Sequence, residues 1–206
     1  IYMVRVVLTP KQEQVTIQTQ LLQSLKESGW DGEWSVNNKT IVLDVEKGVS
    51  LDKYIKTTPL DYSHALRLAL SIGTQLATLS SDTILSKQKL GVLFFELKDI
   101  MVLDENWYLL TSHSKILPMD DKNQLELTKP IKFTGFLSPE LENVTSLPFS
   151  TDQSCSYYSL ALLCLQALHL DYNKEHDFLK LKGTKLYYLL ERCLEKKPKN
   201  RRFLYI

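Results

Sequence analysis

The stretch that most constrains this fold is "CSYYSLALLCLQAL", Cys155 to Leu168. It is apolar on nearly every helical face, so a helix here must be surrounded by protein rather than laid on a surface. Its longest apolar run, Tyr157 to Leu168, is interrupted by Ser159 and Gln166. A bilayer span needs about 20 predominantly apolar residues, so the stretch reads as the central helix of a helical lobe.

The flanking periodicities extend that lobe. Tyr62 to Leu79 carries Leu66, Ala69, Leu70, Gly73, Leu76, Ala77 and Leu79 at helical spacing. A last helix is predicted from about Thr184 to Leu194, ending ahead of Pro198. Ser50 is placed to cap a short helix over "LDKYIK". Before residue 47 the pattern is strand, helix, strand, strand. The strands are expected at residues 2–8, 33–36 and 40–46, with a helix from Pro10 to about Lys26 whose apolar face holds Val15, Leu21, Leu22 and Leu25. "GWDG", Gly29 to Gly32, ends that helix, and Asn37 to Lys39 forms a turn. A short β region is expected over Gly91–Leu97, Ile100–Leu103 and Trp107–Thr111, with a turn at Asp104 to Asn106. Residues 112–135 show little periodicity and read as a long irregular segment. Ile116, Leu117, Met119, Leu125 and Leu127 within it are either packed on the lobe or a contact surface. Trp30, Trp34 and Trp107 are core residues or exposed anchors. The fold class is therefore α+β: residues 1–46 form a small β-containing unit, and residues 47–206 a mainly helical one with a β insertion.

Composition narrows the function. A net charge of +1 over 206 residues creates no polyanion-seeking field, so nucleic acid is not an expected partner. The basic run "KKPKNRR", Lys196 to Arg202, reads as a solvated helix end. Cys155, Cys164 and Cys193 lack zinc-ligand spacing and suit buried, reduced thiols, which favours a cytoplasmic or nuclear setting. His64, His113, His169 and His176 form no metal-binding motif, and no metal or cofactor is expected. No signal peptide is visible, and a first residue that is Ile1 rather than Met suggests a piece of a longer polypeptide.

One sequence of motifs has a familiar order. "IVLDVEKGVSLDKYI", "GVLFFELKDIMVLDEN", "YLLTSHS", "GFLSPEL", "STDQSCSYYSLALLCL" and "LLERCLEKKPKNRR" follow one another from Ile41 to Arg202. The order resembles the protein kinase family: last N-lobe strand with hinge, catalytic loop, magnesium-binding triplet, the Ala-Pro-Glu step, the buried central helix, and the final helix with its Arg. The resemblance implies a two-lobed fold with a reduced N-lobe. It also implies a structural ion pair between Glu140 and Arg201, because a buried carboxylate needs a partner that an Arg fork satisfies well.

The working groups of a kinase are mostly absent. Phosphoryl transfer needs a Gly-rich loop, a strand Lys paired with a helix Glu, a catalytic Asp, and Asp and Asn for magnesium. No glycine precedes Gly29. The strand Lys position reads Val6, with Arg5 one residue away and therefore on the opposite face. The helix Glu reads Gln20. Glu96 replaces the catalytic Asp when the loop is aligned from its front; aligned from its back, Phe94 does so and Asp99 takes the metal-binding Asn. The triplet reads Ser112, His113, Ser114, with His113 expected exposed. In the central helix Ser156 replaces the Asp that braces the catalytic loop, and Ala161 a usual Gly.

The resemblance therefore implies a pseudokinase: a non-enzymatic regulatory or scaffolding domain in signalling, whose partner is a protein such as a kinase or a regulatory complex. An alternative keeps chemistry, as an atypical kinase or nucleotide-binding switch using Glu96, Lys98 and Asp99. The non-catalytic kinase-derived module of some actin-nucleating and scaffold proteins is a further relative in architecture, but the strands and helix of residues 1–46 are more kinase-like.

Overall fold

The computed structural model describes residues 3–81 and 88–205. The first residue of the expected strand at 2–8, Tyr2, lies outside the described residues. Strands β1 (Val4–Leu8), β2 (Glu33–Asn37) and β3 (Thr40–Val45) form an antiparallel sheet in the order β1-β3-β2. Ile41, Leu43 and Val45 alternate into the core, and Val6 sits opposite Leu43. The β2–β3 turn places Asn38 at φ 56, which an Asn tolerates. Helix α1 (Val15–Glu27) covers the sheet with Ile17, Leu21, Leu22 and Leu25. Trp30 follows it, 1% exposed, stacked on Trp34 at 6.1 Å and donating from Nε1 to Asp104. Trp34 and Trp107 are partly buried against the same core, so none of the three is an exposed anchor.

Strand β4 (Gly48–Ser50) leads into α2 (Leu51–Thr57). Ser50 makes no side-chain cap; it ends β4 opposite Met101. Helix α3 (Tyr62–Ser80) is capped by Asp61, whose carboxylate accepts from the His64 N–H at 2.8 Å. Its buried face is Ala65, Leu68, Ala69, Ile72, Leu76 and Leu79. Ala77, expected within the apolar face, is exposed, because the buried stripe begins at Ala65 and runs round from there.

Strands β5 (Leu90–Val92), β6 (Ile100–Leu103), β7 (Trp107–Leu110), β8 (Ile116–Pro118), β9 (Gln124–Leu127) and β10 (Phe149–Asp152) form three small antiparallel sheets: β4-β6-β7, β5-β8 and β9-β10. The expected strand Gly91–Leu97 is shorter: it yields to a loop and one 3₁₀ turn at Leu97–Asp99. The segment 112–135 is not irregular throughout, since it supplies β8 and β9 to partners distant in sequence. Met119, Leu125 and Leu127 are buried in a second core with Leu93, Phe94, Leu141 and Cys155, while Leu117 packs against that core and Ile116 against the main one. Burial places Met119, Leu125 and Leu127 in the interior packing.

Helix α4 (Pro139–Glu142) precedes β10, and α5 (Cys155–Ala167) runs through the interior. Among its residues only Gln166 is exposed. Helix α6 (Glu175–Leu179) and α7 (Lys185–Cys193) close the chain, with the Thr184 hydroxyl capping α7 at the Tyr187 N–H. All three cysteines are free and buried. Among the described residues no helix is long and apolar enough to cross a membrane. One hydrophobic core runs from Leu8 through α1, α3 and α5 to Leu194.

Strand β7 is an edge strand, yet it is enclosed. Two buried glutamines take the place of its missing neighbour. Gln75 of α3 donates from Nε2 to the Tyr108 carbonyl at 2.7 Å and accepts at Oε1 from the Leu110 N–H at 2.9 Å. Gln18 of α1 donates to the Leu110 carbonyl at 3.1 Å. A carboxamide carries the same donor and acceptor as a peptide group, so it can complete a strand edge from a helix. Gln75→Leu keeps the bulk and strands the buried Leu110 N–H, while the Tyr108 carbonyl still accepts from the Ser71 hydroxyl at 2.8 Å. At about 1–3 kcal/mol for one stranded group, unfolding stability should fall by roughly 1–3 kcal/mol in a urea titration. A change within about 0.5 kcal/mol, typical of surface positions, would contradict this role.

Candidate functional site

The loop Phe94–Asp99 leaves β5 and is anchored from three directions. The Phe95 N–H donates to the Ser159 hydroxyl of α5 at 2.7 Å. The Phe95 carbonyl accepts from the Phe136 N–H at 3.0 Å. The Asp99 carbonyl accepts from the Thr111 N–H at 2.9 Å. Gly135 permits the second contact: at φ +92 it brings the chain so close that an added Cβ would lie 2.6 Å from the Phe95 carbonyl oxygen. Only glycine adopts that conformation without strain.

Charge at this loop converges on a residue absent from the sequence-based site. Lys115, in the turn before β8, places its ammonium 2.5 Å from Glu96 Oε2 and 2.5 Å from Asp99 Oδ2. It also lies 4.8 Å from the Phe94 ring centre, within reach of a cation–π attraction. The side chains of Lys115, Glu96 and Asp99 are 7%, 17% and 3% exposed. Asp99 also accepts from the Glu96 N–H at 2.7 Å. Burial raises the Glu96 carboxyl's pKa, but hydrogen bonds from Lys115, Thr134 and Lys98 outweigh it and hold the group below its ordinary 4.5. Lys98 is the outer member of the cluster, 3.3 Å from Glu96 with a 67% exposed side chain.

The other residues singled out in the sequence do not join this cluster. Val6 is half-buried in β1, packed beside Gly48. Arg5 points to solvent and meets Asp44 at 3.3 Å. Gln20 is half-buried on α1, and the glutamine that α1 turns inward is Gln18. The Ser112 and Ser114 hydroxyls lie 3.2 Å from each other. His113 is not an exposed loop histidine: its Nε2 is buried without a hydrogen-bond partner among the described residues, and burial pushes its pKa down to about 4. Ser156 turns back to the Gln153 carbonyl, and Ser159 holds the loop instead. The loop is therefore braced from α5 by Ser159, three residues beyond Ser156.

Glu140 and Arg201 meet below this loop. Arg201 donates from two guanidinium nitrogens to the Glu140 carboxylate, at 2.5 and 2.8 Å, and further to the Glu195 and Lys196 carbonyls. Its side chain is wholly enclosed, and its guanidinium lies over the Tyr158 ring at 4.9 Å. Burial raises the Glu140 pKa, but the Arg201 hydrogen bonds dominate and the group is held below 4.5. The pair ties α4 to the chain after α7. It faces α5 rather than a cleft, and its chemistry is structural.

With Lys115 in place, the arrangement does not fit a divalent cation. Magnesium prefers carboxylate and water oxygens around an open position. Here the two loop carboxylates share one ammonium. Among the described residues no three His, Cys, Asp or Glu side chains converge on one point. A cavity of about 580 Å³ lies apart from this cluster, bordered by Leu117, Met119, Gln124, Glu126 and Lys129. No family model matches the chain, and no curated protein matches it.

Two outcomes follow for stability. Arg201→Ala removes the enclosed guanidinium, leaves the partly buried Glu140 carboxylate unpaired and should cost about 3–5 kcal/mol in equilibrium unfolding; a loss near zero would show the pair to be incidental. The pH dependence has two limbs of the same sign. His113 is depressed from 6.5, so its folded neutral form favours stability above about pH 6.5, and this is lost as pH falls towards 4. Glu96 and Glu140 are depressed from 4.5, so their contribution is lost below that value. His113→Gln should flatten the pH 4–6.5 limb and leave the acid limb in place. An unchanged upper limb would assign it to another group.

Proposed function

We propose that this chain is a non-catalytic, kinase-like domain acting as a protein-interaction or regulatory module. The observation that carries the reading is the occupation of Glu96 and Asp99 by Lys115. Aligned from the front of the loop Glu96 would be the base, aligned from its back Asp99 would be a metal ligand, and neither carboxylate is free to act. The structural elements on which the resemblance rests are kept: the Ser-Pro-Glu step at Ser138 to Glu140, its Arg201 partner, and the buried helix α5. Frame without working charges is the pattern of a pseudokinase.

The same contacts weigh against an atypical kinase built on Glu96, Lys98 and Asp99. A general base must reach the substrate hydroxyl, and a metal ligand must face an open position. Glu96 and Asp99 face Lys115, and Lys98 extends to solvent.

Binding surface is available elsewhere. Tyr188, Leu204 and Tyr205 are 48%, 48% and 42% exposed. They gather on one side of α7, where Lys185 lies over the Tyr205 ring and Arg192 bonds the Leu204 carbonyl. Aromatic and Arg side chains are those that carry most binding energy in protein interfaces.

The reading is tested with γ-labelled ATP, magnesium and purified protein. No phosphate should reach the chain itself or a generic acceptor protein, and magnesium together with ATP should leave the melting temperature where ATP alone leaves it. Transfer that disappears in Glu96→Gln would overturn the proposal and restore the enzymatic alternative.

A further inference from the structure

We propose that Lys115 is a tethered cation that closes a divalent-metal position formed by Glu96 and Asp99. The inference rests on the non-catalytic reading for the identity of the excluded ion, and on the geometry for the rest. Glu96 Oε2 and Asp99 Oδ2 each lie 2.5 Å from the same nitrogen. Two carboxylate oxygens therefore converge on one point in a space that water barely reaches. Left alone, two buried carboxylates this close repel, and one must take a proton or a cation. The ammonium supplies that cation from within the chain.

The tether makes the occupation persistent. The Lys115 carbonyl accepts from the Leu93 N–H at 2.9 Å, so the backbone that carries the ammonium is fixed to the strand leading into the loop. The Phe94 ring covers the ammonium on another side. A covalently attached group competes at a high effective concentration, while a free ion must first shed water, which magnesium does reluctantly. The wild-type position is thus closed to divalent ions at ordinary concentrations. Removing the ammonium while keeping the apolar stem leaves both carboxylates facing an empty point. Lys115→Met makes that change.

The test uses Mn²⁺ alone, with no nucleotide, on wild type, Lys115→Met and the double variant Lys115→Met/Asp99→Asn. Bound ion is read from loss of the free-Mn²⁺ electron paramagnetic resonance signal, and stability from the melting temperature. Wild type should bind no Mn²⁺ and melt alike in Mn²⁺ and chelator. Lys115→Met should melt lower in chelator, bind one ion, and recover on the order of 5–10 °C at a hundredfold excess over Kd. The double variant should lose that recovery. Binding of one Mn²⁺ by wild type as tightly as by Lys115→Met would overturn the proposal. So would a folded Lys115→Met that ignores Mn²⁺, or one that unfolds and is not recovered by it. Phosphate transfer by wild type would instead strike the non-catalytic reading, leaving metal uptake by the variant as a separate result.

Discussion

A buried lysine between two carboxylates organises the centre of this molecule. Lys115 comes from the turn before β8, Glu96 and Asp99 from the loop after β5, and Thr111 reaches the same loop from the end of β7. Each segment is short and irregular, and a loop cannot be buried unless its polar groups find partners. The ammonium satisfies two carboxylates at once, Asp99 adds the Glu96 N–H, and Ser159 adds the Phe95 N–H. With those bonds made, Phe94 and Phe95 can sit fully buried beside a charged cluster.

The second enclosed pair, Glu140 with Arg201, works by the same logic at the far side of the loop. A guanidinium fork presents donors in a plane, and Arg201 uses four of them, two on the carboxylate and two on backbone carbonyls. Isolated buried ion pairs gain little over well-packed apolar residues, because desolvation offsets attraction. Their value here is geometric. Each fixes one segment whose own secondary structure is no more than a single 3₁₀ turn: residues 93–99 in one case, and the chain after α7 in the other. In both cases the charges meet inside the protein rather than in an open cleft.

The sequence made the long helices legible. Helix α3 follows from apolar residues at helical spacing, α5 from a run apolar on nearly every face and α7 from its stop ahead of Pro198, and Glu140–Arg201 was traceable from the Ser-Pro-Glu step and a late Arg. What escaped was non-local. Strands β8, β9 and β10 span only three or four residues, too few for an alternation to stand out, and their partners lie far along the chain. Lys115 is one lysine among many in sequence; its partners are 19 and 16 residues away, and only the fold brings them together. Gln18 and Gln75 were hidden for another reason. A glutamine in a helix reads as a solvent-facing residue, and nothing local announces an unpaired strand edge opposite it. Ser159 was overlooked in favour of Ser156 because the family register pointed three residues earlier in the helix.

The central claim is that the chain's own ammonium occupies the point between Glu96 and Asp99 that a divalent ion would otherwise take. Crystals of wild-type protein grown with Mn²⁺ and a non-hydrolysable ATP analogue test it most directly, through anomalous scattering at the manganese edge. The account predicts no anomalous peak between Glu96 and Asp99, with Lys115 Nζ in hydrogen-bond contact with both. A manganese peak at that point, with Lys115 turned away from the carboxylates, would contradict it.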